Sequence, residues 1–269
     1  MTRSSDLQIL LGECKIEYFR NRIMERRTAF FKSSEEVNKY FVDIVDGLFR
    51  TFNSLKESEA GIDSKIRRPV VSGKKTLVLN DIQDDYLTLK SLCRDIGQTL
   101  GVSSHINAYI TPEDSQGFFP HYDSHDVLIV QLHGSKNWTI QNDLPQLVTK
   151  RTIQATFDRC ANNSMQVTLK KGNALYIPRG QIHAAKTGSQ NSIHLTIGLY
   201  PVEISEVLAE MIQMSTYKSA SFRQRIDISK DTRESYNETV QRIQSVSKES
   251  ITYEAYRSAI ESIRRRLHS

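Results

Sequence analysis

His105 to Trp138 reads HINAYITPEDSQGFFPHYDSHDVLIVQLHGSKNW, and the alternation at its start decides the fold class. Ile106, Ala108 and Ile110 fall on one side of an extended chain, and His105, Asn107, Tyr109 and Thr111 on the other, because successive side chains of a strand point to opposite faces. Ser192 to Tyr200, SIHLTIGLY, repeats the pattern, with Ile193, Leu195, Ile197 and Leu199 opposed to Ser192, His194, Thr196 and Gly198. The polar face of an antiparallel strand ordinarily meets water. Here it carries His, Asn, Tyr and Thr and lacks Lys and Glu. A small barrel whose polar interior holds a ligand fits that set better.

Outward from this stretch the periodicity changes. Residues 105–200 continue as short alternating segments punctuated by Gly and Pro, which predicts antiparallel strands. Residues 1–104 read mostly as helix. Ser33-Ser-Glu-Glu36 has the form of a capping box, and Val37, Phe41, Ile44, Leu48 and Phe52 then recur at helical spacing. Thr76–Leu79 is a short extended candidate, and 83–99 a second helix with Tyr86, Leu89, Leu92 and Ile96 inward. Beyond 201 the helical period returns in three stripes: Ile204, Val207, Leu208, Met211 and Ile212; Tyr236, Val240, Ile243 and Val246; and Tyr256, Ile260, Ile263 and Leu267. These faces must pack on something, either the barrel or a second subunit. The class is therefore α+β, with residues 1–200 as a barrel domain under helical cover and 201–269 as a helical region suited to homodimerisation.

The strand zone also carries the chemistry. His121 and Asp123 stand one residue apart, so on a strand both side chains point the same way and can reach one ion. His183 follows Gly172-Asn-Ala-Leu-Tyr-Ile-Pro-Arg-Gly180, where Pro178 and Gly180 suit a tight turn. Two imidazoles and one carboxylate on one side of a metal form a facial triad, which leaves positions open for a co-substrate and dioxygen at iron(II). A His-x-Asp pair alone is weak, and His125 and His133 are competing candidates. Lys136 follows the Gly134 turn. Inside a barrel its ammonium needs an anion; at a hairpin tip it would simply be solvated.

The chain has 269 residues, a net charge of +5 and a pI near 9.0. Its longest apolar runs, such as Val127–Val130, are far below the ~20 residues of a membrane span. With no secretory h-region at the N-terminus, a cytoplasmic protein is expected. Cys14, Cys93 and Cys160 are scattered and odd in number, against a disulfide framework or a thiolate zinc site. Basic pairs such as Arg26-Arg27 and Lys170-Lys171 are dispersed and lack a stacking motif, so direct nucleic-acid binding is not expected.

The stretch 106–138, with GNALYIPRGQIHAA and SIHLTIGLY, closely resembles the JmjC-type cupins of the ribosomal-oxygenase group, which includes bacterial ribosomal-protein arginine hydroxylases and human nucleolar histidine hydroxylases. The resemblance covers most of residues 105–200. It implies a double-stranded β-helix (cupin, or jelly-roll) holding Fe(II) through His121, Asp123 and His183. It further implies 2-oxoglutarate as co-substrate, its distal carboxylate on Lys136, with Asn107, Tyr109, Thr196 and His194 lining its pocket. The implied reaction uses O2 to decarboxylate 2-oxoglutarate to succinate and hydroxylate an amino-acid side chain of a protein or peptide. A peptide natural product or a free amino acid is the alternative substrate. N-methyl-lysine demethylation and a non-catalytic binding module rank lower. Members of the group carry a dimerising helical region and then a winged-helix domain; the residues after 200 suffice for the first and not for both.

Overall fold

The protein is described here from a computed structural model covering residues 5–32, 35–56, 66–67, 70–71, 74–142, 147–149, 157, 160, 163–218, 220–223, 225 and 233–268. The order of elements is α1 (Asp6–Leu11), α2 (Ile16–Tyr18) running into a π-turn at Phe19–Ile23, β1 (Ala29–Phe31), α3 (Glu35–Tyr40), α4 (Val42–Lys56), β2 (Ile66–Arg67), β3 (Val70–Val71), β4 (Lys74–Lys75), β5 (Leu77–Leu79) and α5 (Leu87–Leu100). The strands β6 (Val102–Thr111), β7 (Asp126–His133), β8 (Ser135–Gln141), β9 (Ser164–Lys170), β10 (Ala174–Ile177), β11 (His183–Thr187) and β12 (Ser192–Pro201) follow, and then α6 (Ile204–Lys218), α7 (Arg233–Ser250) and α8 (Tyr253–His268).

Two antiparallel sheets form the barrel. The larger runs β1-β10-β7-β12-β6-β5-β2 and the smaller β11-β8-β9. The β7–β8 turn at Gly134 carries the chain from one sheet to the other. Gly134 has φ +64°, and a Cβ there would collide with the Asn191 carbonyl, so only glycine is tolerated at this corner. This is the double-stranded β-helix.

The alternation read from the sequence explains the layers. Ile106, Ala108 and Ile110 of β6 and Ile193, Leu195, Ile197 and Leu199 of β12 join Leu89, Leu92 and Ile96 of α5, with Phe41, Ile44 and Leu48, in one large core. Each buried Leu or Ile contributes roughly 1.5–3 kcal/mol. β7 is covered on both faces: Leu128 and Val130 enter that core, whereas Val127 and Ile129 join Trp138, Ile140, Leu169, Leu175 and Ile177 in a second one. A strand buried on both sides reads as an unbroken apolar run, which accounts for Val127–Val130. The capping-box residues Ser33 and Ser34 lie outside the described residues. The helix they were expected to open is broken at Phe41 into α3 and α4, yet Val37, Phe41, Ile44 and Leu48 are buried as the spacing predicts.

The chain divides into two compact units, Met1–Pro201 and Val202–Ser269. Within the second, the stripes differ from expectation. Met211, Ala255 and Ala259 form its small core, with Val207 packed against it, while Ile204, Leu208, Ile212, Tyr236, Ile243 and Tyr256 stay exposed. Two alanines one helical turn apart let α8 approach α6 closely. Of the α8 stripe, Ile263 is buried as expected and Tyr256 is exposed; counting bulky residues passed over Ala255 and Ala259 on the buried face. Among the described residues no helix is long and apolar enough to cross a membrane.

Candidate metal centre

A cavity of about 480 Å3 lies between the two sheets. The inward row of β6 and β12 forms one wall. Strand register sets His194 directly across from Tyr109 and Thr196 across from Asn107, and all four side chains line the space. The imidazole of His194 stacks on Tyr109, with centroids 4.8 Å apart and planes within 7°. Asn107 accepts a hydrogen bond at Oδ1 from the Asp81 N–H, 3.0 Å.

His121, Asp123 and His183 converge on this cavity, with one potential ligand atom of each within 4.8 Å of the others. His183 Nε2 is 3.5 Å from Asp123 Oδ2, and the two imidazole centroids are 4.6 Å apart. The local reason differs from the one the spacing suggested. His121 and Asp123 do not sit on a continuous strand. Residues 112–125 are irregular, and His121 is held by a single β-bridge, its N–H and C=O paired with the backbone of His183 at 3.0 and 2.8 Å. That bridge, and not strand periodicity, brings the two imidazoles together.

Both rings are oriented by their second nitrogen. Nδ1 of His121 lies 2.8 Å from the Phe119 carbonyl and Nδ1 of His183 lies 2.9 Å from the Gln181 carbonyl. A carbonyl only accepts, so each neutral ring carries its proton on Nδ1 and presents the Nε2 lone pair to the cavity. Burial, and then the neighbouring His121, push the pKa of His183 down to about 4, which keeps it neutral and free to ligate at physiological pH. His125 is not part of this group; it stacks on Tyr200 at 4.5 Å. His133 packs edge-on against Phe49.

Lys136 is buried, 3% exposed, on the inward face of β8, so it is no solvated hairpin tip. Its Nζ donates to Thr111 Oγ1 at 2.9 Å. Burial lowers its pKa to about 7, the signature of an ammonium site lacking its counter-charge. Two further polar atoms on cavity-lining residues, His194 Nδ1 and Trp138 Nε1, are buried without a hydrogen-bond partner. Burial, and then the nearby Lys136, drive the pKa of His194 well below its usual value. Buried polar groups in native proteins are nearly always satisfied, so this end of the cavity is shaped for a polar guest. His105, placed on the inward row by the alternation, lines the wall; the sequence reading did not assign Phe118, Phe119, His125 or Tyr200 to it, and each lines it. Tyr200 follows from the same two-residue alternation and could have been found by it.

Residues 84–207 match the JmjC domain family. Ribosomal oxygenase 2 of Bos taurus is 43% identical over 96 residues, which is 35% of this chain and 21% of that protein. The bifunctional lysine-specific demethylase and histidyl-hydroxylase NO66 of Dictyostelium discoideum is 35% identical over 127 residues, 44% of this chain and 25% of that one. The chain thus spans about a fifth to a quarter of these relatives. Among solved structures, YcfD, a ribosomal oxygenase from Escherichia coli in complex with cobalt and 2-oxoglutarate, superposes with a TM-score of 0.58 at 12% identity, covering 94% of this chain and 71% of that one. At that identity the likeness concerns the fold. Over residues 84–207 this chain is thus similar to the JmjC domain family and to part of the ribosomal oxygenases, and it shares its fold with YcfD.

Proposed function

We propose that the protein is an Fe(II)- and 2-oxoglutarate-dependent dioxygenase that hydroxylates an amino-acid side chain of a protein or peptide. One observation carries the reading: three potential ligand atoms converge at one part of a cavity, and a buried ammonium without a counter-charge stands at another. The donor set fits iron(II), since two imidazoles and a carboxylate leave coordination positions free. Bound there, the metal would supply activation of dioxygen at the expense of 2-oxoglutarate decarboxylation. The chain's own part is to hold, orient and exclude water. His121 and His183 would present Nε2, and Asp123 a carboxylate oxygen. Lys136 and Thr111 would receive the distal carboxylate.

Strand register supports the span. Lys136 lies opposite Thr187 in the β8–β11 ladder, four residues from His183 on the same face, about 13 Å at strand rise. That distance accommodates a lysine side chain, a five-carbon diacid and an imidazole. Ribosomal oxygenases as relatives, and cobalt with 2-oxoglutarate in the YcfD complex, support the same assignment. The direct experiment is anaerobic loading with Fe(II), then addition of O2 and 2-oxoglutarate with candidate ribosomal-protein peptides, read by intact mass. A gain of one oxygen on a peptide with stoichiometric succinate is expected. Succinate absent both with and without peptide would overturn the reading, and formaldehyde release would redirect it to demethylation.

The Lys136 site gives a pH signature. Before the co-substrate binds, the ammonium loses its proton near pH 7; a carboxylate partner holds it on. Below pH 7 no proton need be taken up, so KM for 2-oxoglutarate should be flat. Above it, KM should rise toward about tenfold per pH unit. Lys136→Arg, which stays charged, should flatten that rise; an unchanged rise in this variant would contradict the assignment.

We further propose that the C-terminal unit self-associates, supported by the exposed apolar side chains of Ile204, Leu208 and Ile212. Sedimentation at micromolar concentration should give twice the 30.8 kDa chain mass, and Leu208→Asp should return the monomer. The free thiols Cys14, Cys93 and Cys160 suit a reducing compartment and support a cytoplasmic location.

A further inference from the structure

Beneath the metal centre lies a buried charged cluster to which the reaction just proposed gives no role. Asp126 is fully buried and Arg179 is 6% exposed. Asp126 accepts hydrogen bonds from Tyr176 Oη at 2.6 Å and from the Arg179 backbone N–H at 3.0 Å. The guanidinium of Arg179 donates to Glu25 Oε1 at 2.6 Å and lies 3.6 Å from Asp126 Oδ1. Tyr176 Oη in turn accepts the Glu25 backbone N–H at 2.8 Å. Glu25 has φ +59°, a conformation that non-glycine residues keep only where their surroundings impose it. Burying the Asp126 carboxylate beside a guanidinium is a weak route to stability.

The position of the cluster suggests what it is for. Arg179 is the second residue of the turn 178–181, closed by the Gln181 N–H on the Pro178 carbonyl. The next residue, Gly180, donates its N–H to the Asp123 carbonyl at 2.9 Å. Gln181 supplies the carbonyl that orients Nδ1 of His183, and its side-chain amide is tied to the Gln141 carbonyl. Two of the three candidate ligands thus hang from one turn, and Arg179 within that turn is gripped by its backbone (Asp126) and by its side chain (Glu25).

Resting on the metal reading above, we infer that Asp126, Arg179 and Glu25 are positioning residues: they clamp the 178–181 turn so that Asp123 and His183 keep the separation a metal ion requires. The clamp acts through Arg179 and Gly180, and none of the three reaches the ion. Outer contacts that orient ligands commonly govern affinity by 10–100-fold.

The test uses the full chain without iron. Co(II) is titrated anaerobically and followed by calorimetry and by its visible absorption, while melting of the metal-free protein is recorded in parallel. Wild type should saturate with one Co(II). Asp126→Asn should raise the Kd for Co(II) ten- to a hundredfold and alter the visible band. Glu25→Gln, whose side chain is 36% exposed, should raise it severalfold with little change in metal-free melting. Wild-type affinity and spectrum in both variants, whatever their melting, would overturn the clamp. Should Asp126→Asn not fold, Glu25→Gln decides alone. A wild-type protein that takes up no Co(II) would instead sink the metal reading, and the clamp with it.

Discussion

His183→Ala is expected to lose tight metal uptake and, with it, turnover, by a factor well beyond the 10–100-fold that outer contacts are worth. The substitution removes a proposed ligand, while the backbone bridge from residue 183 that holds His121, being main chain, survives. Folding should change little, because the ring is replaced by a smaller apolar group in a site that the metal-free protein leaves incompletely satisfied. His125→Ala is the control. It lies two residues from Asp123, yet its ring stacks on Tyr200, so metal stoichiometry measured by elemental analysis should stay at the wild-type value. Equal loss in both variants, or in neither, would contradict the assigned ligand set.

Lys136→Met should show two effects of opposite sign. An ammonium buried without a carboxylate destabilises the protein that carries it, and Met fills similar volume without that penalty. The melting temperature of the variant without co-substrate should therefore equal or exceed that of wild type. Binding of 2-oxoglutarate should weaken by about 30- to 150-fold, the worth of a charge-assisted pair of roughly 2–3 kcal/mol. Parallel melting with and without 2-oxoglutarate separates the two, since only wild type should gain stability from the ligand. A variant that is less stable and still binds 2-oxoglutarate normally would show that Lys136 serves packing alone.

Much of this was legible in the sequence, for identifiable reasons. Two-residue alternation is a strong signal where one strand face is apolar and the other lines a cavity, so β6 and β12 and the inward row Asn107, Tyr109, His194 and Thr196 were read from residue types. β7 was harder, because a strand buried on both faces loses the alternation and Val127–Val130 could equally belong to a buried helix. The convergence of His121, Asp123 and His183 was expected on a partly wrong rationale: His121 and Asp123 sit in an irregular segment, and a bridge from His121 to His183 does what a strand was expected to do. Burial of Lys136 could not be read from spacing; it depends on the Gly134 corner turning β8 into the second sheet. The Asp126–Arg179–Glu25 clamp was invisible, since its members are over 150 residues apart in the chain at the extreme, with Arg179 to Glu25 separated by 154. The buried face of α8 was only partly read: Ile263 is buried as its spacing predicts, but the small residues Ala255 and Ala259 join the core of that unit.

The central claim is that His121, Asp123 and His183 share one ion in a cavity that also seats an anion on Lys136. Anomalous diffraction at the manganese edge, from crystals grown with Mn(II) and 2-oxoglutarate without oxygen, tests it most directly. The expected map has one anomalous peak within bonding distance of Nε2 of both histidines and an Asp123 oxygen, with diacid density ending at Lys136 Nζ. A peak elsewhere, or a diacid that leaves Lys136 without a partner, would contradict it.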